Sequence, residues 1–361
     1  MEEKPFKLLL HGIDTVQCSY YLEPGLNAAI DFHWLAVQKE SIRHSKKRRL
    51  QPIKIGNEEF LLSPSGSQSG YPFIISNEHF KIEFGEFNVP NFFVTFPSQA
   101  LWQDSCYLLH KRFLKWTTSL GFTQYKNESL SRVDFSFDYK INQVDFNEDD
   151  FLTRSTKDNK IREHRKAQTF QFGKNDIVLR VYDKVAEIKE ESGKAWFFIL
   201  WSEEKNVWRV EWQVRKPILK EFGIVTFQDL KERRGHLLRY LAEEHDTLRQ
   251  QTEDSNRSRW PIHPLWQDLQ EKIRNIESLE VREVIGQNAA LNERMMQMAI
   301  SMYGYLKRVA AVECVQKDTD HTTINDAVVR ISDIIYKHFY EPLAWKMDVE
   351  QRRKEILLGK W

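Results

Sequence analysis

Arg132-Val133-Asp134-Phe135-Ser136-Phe137-Asp138 is the stretch on which the fold turns. Polar and apolar residues alternate at every step, which is the period of a β-strand and not of a helix. On a strand, Arg132, Asp134, Ser136 and Asp138 share one face, and Val133, Phe135 and Phe137 share the other. Trp208-Arg209-Val210-Glu211-Trp212-Gln213-Val214-Arg215 repeats the pattern, with Arg209, Glu211, Gln213 and Arg215 opposite Trp208, Val210, Trp212 and Val214. Two such strands predict an antiparallel sheet, oily on one side and carrying carboxylates on the other.

Outward from these strands, segments rich in β-branched and aromatic residues recur between Gly12 and Gly223, at 13–22, 59–62, 73–75, 80–84, 92–96, 169–172 and 177–182. Helical spacing interrupts them near 26–37 and over 98–120, where Leu101, Cys106, Leu109 and Phe113 recur. After Gly223 the composition shifts to Leu, Glu, Lys, Arg and Gln, with helical patterns over 227–251, 264–312 and 323–340. Thr323 with Asp326 reads as a helix cap. The expectation is an α+β chain: an antiparallel-rich sheet domain over 1–223, then a helical region over 224–361.

Composition narrows the function classes. The 361 residues are 41% hydrophobic and 13% aromatic, enough for a sizeable core. Lys and Arg number 53 against 52 Asp and Glu, a net charge of +1, so any grip on nucleic acid must come from local patches. Cys18, Cys106 and Cys314 are too few and too dispersed for a disulfide framework or a cysteine zinc site, which points to a reducing, intracellular setting. Met1-Glu2-Glu3-Lys4-Pro5 lacks the order of a signal peptide, and no apolar run reaches the ~20 residues of a spanning helix. A soluble, cytoplasmic protein without membrane partners is expected.

Carboxylates on neighbouring strands suit a hard divalent cation, Mg²⁺ or Mn²⁺, better than zinc, which recruits His or Cys. Read alone, however, each alternating strand is more often a solvated sheet face. Between the two strands in sequence lies Leu179-Arg180-Val181-Tyr182-Asp183-Lys184-Val185-Ala186-Glu187. A phenol with an ordinary pKa of ~10 is a poor nucleophile at neutral pH unless cations assist it, and Arg180 and Lys184 are placed to do so. On spacing alone, Tyr182 packing at a sheet rim is the commoner fate. The basic segments 43–49 and 157–166, the latter with Lys160, Arg162, Arg165 and Lys166, could hold phosphates or be plain exposed loops. No His-x-His pair, His-Glu-x-x-His, Gly-x-Ser-x-Gly or phosphate-loop motif occurs.

Taken in order, Arg132-x-Asp134-x-x-x-Asp138, Gln168-Thr169-x-x-x-Gly173, Arg180-Val181-Tyr182-Asp183-Lys184-x-x-Glu187 and Arg209-x-Glu211 resemble the motifs of the replication initiation factor family. That family includes rolling-circle initiators of plasmids and related relaxases of conjugative elements. The likeness spans the sheet region up to Lys216 and takes in Gly12-Ile13-Asp14-Thr15. It implies an origin-specific nickase in which Tyr182 attacks a DNA phosphodiester, keeps the 5′ phosphate and frees a 3′ hydroxyl, with Arg180 and Lys184 assisting. It implies metal ligands among Asp134, Glu211, Glu187 and Asp138, and DNA contacts from Arg132, Gln168, Arg209 and the basic segment 157–166. It further implies a single-stranded or hairpin origin as substrate, a homodimer, helicase and DNA polymerase partners, and a DNA-binding or dimerisation role for 224–361. Two rival readings stay open: a hydrolytic metallonuclease in which Tyr182 merely packs, and a non-enzymatic origin-binding regulator that reads a duplex with its helices.

Overall fold

The alternation around Asp134 extends far beyond the ~5–6 residues of an ordinary strand, and the segments 6–24 and 122–141 each form one long strand. The computed structural model describes residues 5–44, 50–155, 158–163, 166–276 and 287–357. Along the chain run β1 (Phe6–Pro24), β2 (Gln51–Ile55), β3 (Glu58–Leu62), β4 (Phe73–Ser76), β5 (Lys81–Phe84), β6 (Phe92–Phe96), β7 (Phe122–Ile141), β8 (Phe151–Thr153), β9 (Asp158–Glu163), β10 (Lys166–Phe172), β11 (Ile177–Asp183), β12 (Val207–Arg215) and β13 (Asp246–Leu248). The helices are α1 (Phe32–His44), α2 (Ser98–Gln103), α3 (Cys106–Ser119), α4 (Lys184–Glu187), α5 (Trp196–Trp201), α6 (Lys216–Glu221), α7 (Phe227–Tyr240), α8 (Pro264–Arg274), α9 (Gln287–Lys317), α10 (Ile324–His338) and α11 (Pro342–Leu357). This is an α+β fold with a helical C-terminal region.

Eleven strands form one antiparallel sheet in the order β2-β3-β4-β5-β6-β1-β7-β12-β11-β10-β9, and β8 pairs with β13 apart from it. The β1–β7 pairing is the centre, broken by bulges, one of them between Ile13 and Thr15. A bulge inserts an unpaired residue and re-aims its side chain; here that residue is Asp14.

The oily face of β7 and β12 is buried as expected: Val133, Phe135, Phe137, Val210, Trp212 and Val214 share a core with Leu237 and Leu238 of α7 and Leu265, Trp266 and Leu269 of α8. The Trp212 and Trp266 rings meet edge to face at 5.6 Å, a geometry that adds to the area each ring removes from water. On the opposite, polar face, Trp102 of α2 and Trp196, Phe197 and Trp201 of α5 form a second cluster with Val185, Ile188 and Val207. These aromatics form a lid of buried core over the carboxylate face.

Two expected element bounds change. The helix over 98–120 divides at Asp104, because Ser105 accepts a hydrogen bond from the Leu108 amide and caps a new helix. The pattern over 227–251 is α-helical to Tyr240, runs on as a π turn over Leu241–His245 and then becomes the short strand β13. Gly223 does not divide two cores, since α7, β13 and α8 pack into the same core as the sheet. Among the described residues, no helix is long and apolar enough to cross a membrane.

Candidate active site

Antiparallel register sorts the polar face into rows, because residues directly opposite each other point to the same side. One row runs Asp138, Arg209, Tyr182 and Thr169 across β7, β12, β11 and β10. The next runs Ser136, Glu211, Arg180 and Gln171, and Asp134 lies opposite Gln213 in the row after it. The segments quoted from the sequence thus converge on one surface, with β12 between the other two.

Tyr182 is the last residue but one of β11, and Asp183 ends the strand by accepting a hydrogen bond from the Ala186 amide as the N-cap of α4. The Tyr182 hydroxyl donates to Glu211 Oε2 at 3.0 Å. Arg180 Nη1 donates to the other oxygen, Glu211 Oε1, at 3.2 Å, and its Nε donates to Gln171 Oε1 at 3.1 Å. The phenol is 9% exposed. Burial, followed by the charge of Glu211, pushes its pKa well above the usual tyrosine value, and Arg209 opposes that only in part. Tyr182 therefore holds its proton until a base takes it, and the base in contact is Glu211.

Arg209 was expected on DNA, and the structure withdraws it from solvent altogether. It is 0% exposed. Its Nε and Nη2 donate to Asp138 Oδ1 and Oδ2 at 2.6 and 2.9 Å, and its Nη1 donates to Asp14 Oδ1 at 2.7 Å. Asp138 also accepts from the Trp201 indole at 2.8 Å, so both of its oxygens are committed within the protein. Asp14 accepts from Ser98 Oγ and Trp102 Nε1 as well. Burial alone would raise the Asp14 carboxyl, but Arg209, Lys194 and Lys184 outweigh it and hold the group well below the usual carboxylate range. Asp14 belongs to this network, and only the motif around it in the sequence, not its spacing, hints at that.

Lys184 is nearly buried, its ammonium 2.5 Å from Glu187 and 5.5 and 5.3 Å from the Tyr182 and Phe197 ring centres. Burial and the nearby Arg209 lower its pKa. Arg132 pairs with both oxygens of Asp134, with Nε at 2.7 Å from Oδ1. Arg165 lies outside the described residues, as do the side chains of Lys160, Arg162, Lys166 and Gln168.

The four carboxylates expected around one ion do not gather. Glu187 serves Lys184, Asp138 serves Arg209 and Trp201, and among the described residues no three His, Cys, Asp or Glu side chains lie close enough to hold a metal. The two carboxylates left that could hold a cation are Asp134, here paired with Arg132, and Glu211, here paired with Tyr182 and Arg180. Asp134 and Glu211 share the face with Ser136, whose hydroxyl is fully buried and has no hydrogen-bond partner. Burial pushes the Asp134 carboxyl up to about 6, with Glu211 and Asp14 adding to the effect and Arg132 opposing it. Mg²⁺ sites of one or two carboxylates completed by water and substrate phosphate need no larger cage.

No protein-family model and no curated protein matches the chain. Among solved structures it is similar to the rolling circle replication initiator protein from Geobacillus stearothermophilus, at 16% identity, over 75% of this chain and 97% of that one, with a TM-score of 0.43. A likeness of that depth carries no argument about activity.

Proposed function

We propose that this protein nicks a single DNA strand through Tyr182, as a rolling-circle replication initiator or relaxase does. The observation that carries the reading is the contact of the Tyr182 hydroxyl with Glu211, whose second oxygen is held by Arg180. In the reaction Tyr182 Oη attacks phosphorus in line and its proton passes to Glu211. The bond from phosphorus to the 3′ oxygen breaks, that oxygen takes a proton from water, and the 5′ phosphate stays on the tyrosine as an ester. Phosphodiester energy is kept for rejoining, and the 3′ hydroxyl is free to prime synthesis.

Arg180 is the cation beside the phenol with access to solvent, its side chain 29% exposed, and it is suited to the non-bridging oxygens of the phosphate. Lys184, fixed under the ring, orients the phenol. Asp138 and Asp14 anchor Arg209, which stiffens the strand pair that carries Glu211. A divalent ion on Asp134 and Glu211 would neutralise charge on the phosphate as the new bond forms. A phenol so deeply set requires an unpaired strand, in a hairpin or melted origin.

The test is to incubate wild type and Tyr182→Phe with supercoiled DNA carrying the cognate origin and Mg²⁺ or Mn²⁺, and to identify the adduct by mass spectrometry. An oligonucleotide on the Tyr182 peptide, with no nicking by the Phe variant, is expected. Continued nicking by Tyr182→Phe overturns the mechanism in favour of water attack, a reading to which the burial and satisfied hydroxyl of Tyr182 lend some weight.

A further inference from the structure

We infer that a cavity on the oily side of the sheet binds a small organic phosphate, an apolar ring carrying one phosphate group. The cavity measures about 220 Å³ and lies against β1 and β7 on the side away from Tyr182. The β1–β7 register sets its floor, because Ile13 stands opposite Phe135 and His11 opposite Phe137, on the face turned from Asp134 and Asp138. The His11 and Phe137 rings stack at 5.9 Å. The first turn of α3 closes one wall. Another is closed by α7, which presents Lys231, Arg234 and Leu238 together on one helical face at i, i+3 and i+7.

The lining divides by chemistry. Phe135, Phe137, Leu238 and Ile276 are buried and apolar, whereas Lys231 is exposed and Arg234 and His11 are half-buried. Among the described residues that line the cavity, three are basic and none is acidic. Two permanent positive charges beside apolar side chains repel a cation, so the ligand is an anion with an apolar body. A phosphate monoester carries ~1.5–2 negative charges at pH 7, which Lys231 and Arg234 match, and an arginine meets phosphate oxygens with paired N–H donors. An apolar cavity of ~150 Å³ is enough for benzene, so the larger volume here admits one ring with its anionic group. The aromatic floor favours a flat ring over a branched chain.

The test measures binding of phenyl phosphate, phenol and inorganic phosphate to the full-length protein by calorimetry, without DNA or metal. Wild type is expected to bind one phenyl phosphate, and to bind phenol and inorganic phosphate each about tenfold more weakly or worse, since each lacks one half of the ligand. The double variant Lys231→Gln/Arg234→Gln is expected to bind phenyl phosphate about tenfold more weakly and phenol as wild type does, a split that a misfolded chain would not give. Phenol or inorganic phosphate bound as tightly as phenyl phosphate overturns the inference. So does unchanged phenyl phosphate affinity in a double variant with a wild-type circular dichroism melt, or no binding by wild type. Where the double variant fails to fold, the comparison of the three probes on wild type decides. The cavity stands apart from Tyr182, so each of these outcomes leaves the nickase reading as it is.

Discussion

Arg209 holds two carboxylates with one guanidinium; Arg209 and Asp138 are out of contact with water and Asp14 is buried with a small exposed edge. Taking away the cation would leave Asp138 charged and without a cationic partner inside the protein, while Asp14 keeps Lys194 at 3.9 Å, a change of ~3–5 kcal/mol when one partner of a buried pair is lost. Arg209→Met is expected to show that loss in urea unfolding, and Arg209→Lys to recover only part of it, because an ammonium cannot fork between two acids. Stability unchanged in Arg209→Met would mean that the pair is solvated after all. Asp134 makes a prediction of the opposite sense. Its folded pKa of about 6 lies above the ordinary 3.8, so between those values the folded protein keeps a proton that the unfolded chain has released. Its contribution is therefore present below pH ~4 and is lost as pH rises through ~6, a total of ~3 kcal/mol. In EDTA, wild type should lose stability over that window relative to Asp134→Asn; parallel pH profiles for the two proteins would refute the assignment.

The β10–β11 hairpin positions Gln171, Arg180 and Tyr182 together, and its turn depends on Gly173. That residue has φ of +85°, and a Cβ there would stand 2.2 Å from the Ile177 carbonyl oxygen. Gly173→Ala is expected to cost ~2 kcal/mol or more, seen as a lower thermal midpoint, since both the conformation and the space are closed to a side chain. A midpoint equal to that of wild type would show that the turn has another conformation available. At this scale the sequence was largely readable. Alternation placed the strands around Asp134, Tyr182 and Glu211, and the period-two rule put Ser136 beside the acids, because strand geometry is local. The pairing of charges was not readable. Arg209 reaches Asp138 across 71 residues of chain and Asp14 across 195, and whether an arginine faces an acid or solvent depends on register. Asp14 itself enters the site at a bulge in β1, which no alternation pattern marks.

Over the whole sheet the β1–β7 pair is flanked by β6, β5, β4, β3 and β2 on one side and by β12, β11, β10 and β9 on the other, so one side carries an extra strand. The face that carries Tyr182 and Glu211 lies on the second side, with Asp14 of β1 and Trp102 of α2 reaching it from the first; on that second side α4 and α5 fill the connection between β11 and β12, while β5 and β6 follow each other directly. The core shared by both sides runs on through α7 and α8 and ends with Ile273 and Ile276. Composition changes at Gly223 although the core continues past it, because helices that cover a sheet face have surface-like composition on one side and core on the other. The stronger division comes later. Among the described residues of 287–357, only Glu313 and Ala327 are buried, so although α9 lies against α5, the last three helices contribute little apolar burial to the sheet. A chain ending at residue 276 is therefore expected to unfold within ~5 °C of the full-length protein and to keep the Tyr182–Glu211 contact, read as undiminished adduct formation on a single-stranded origin oligonucleotide. A fall in the midpoint of three times that size would place α9–α11 inside the cooperative core, and loss of the adduct with an unchanged midpoint would make them part of substrate binding.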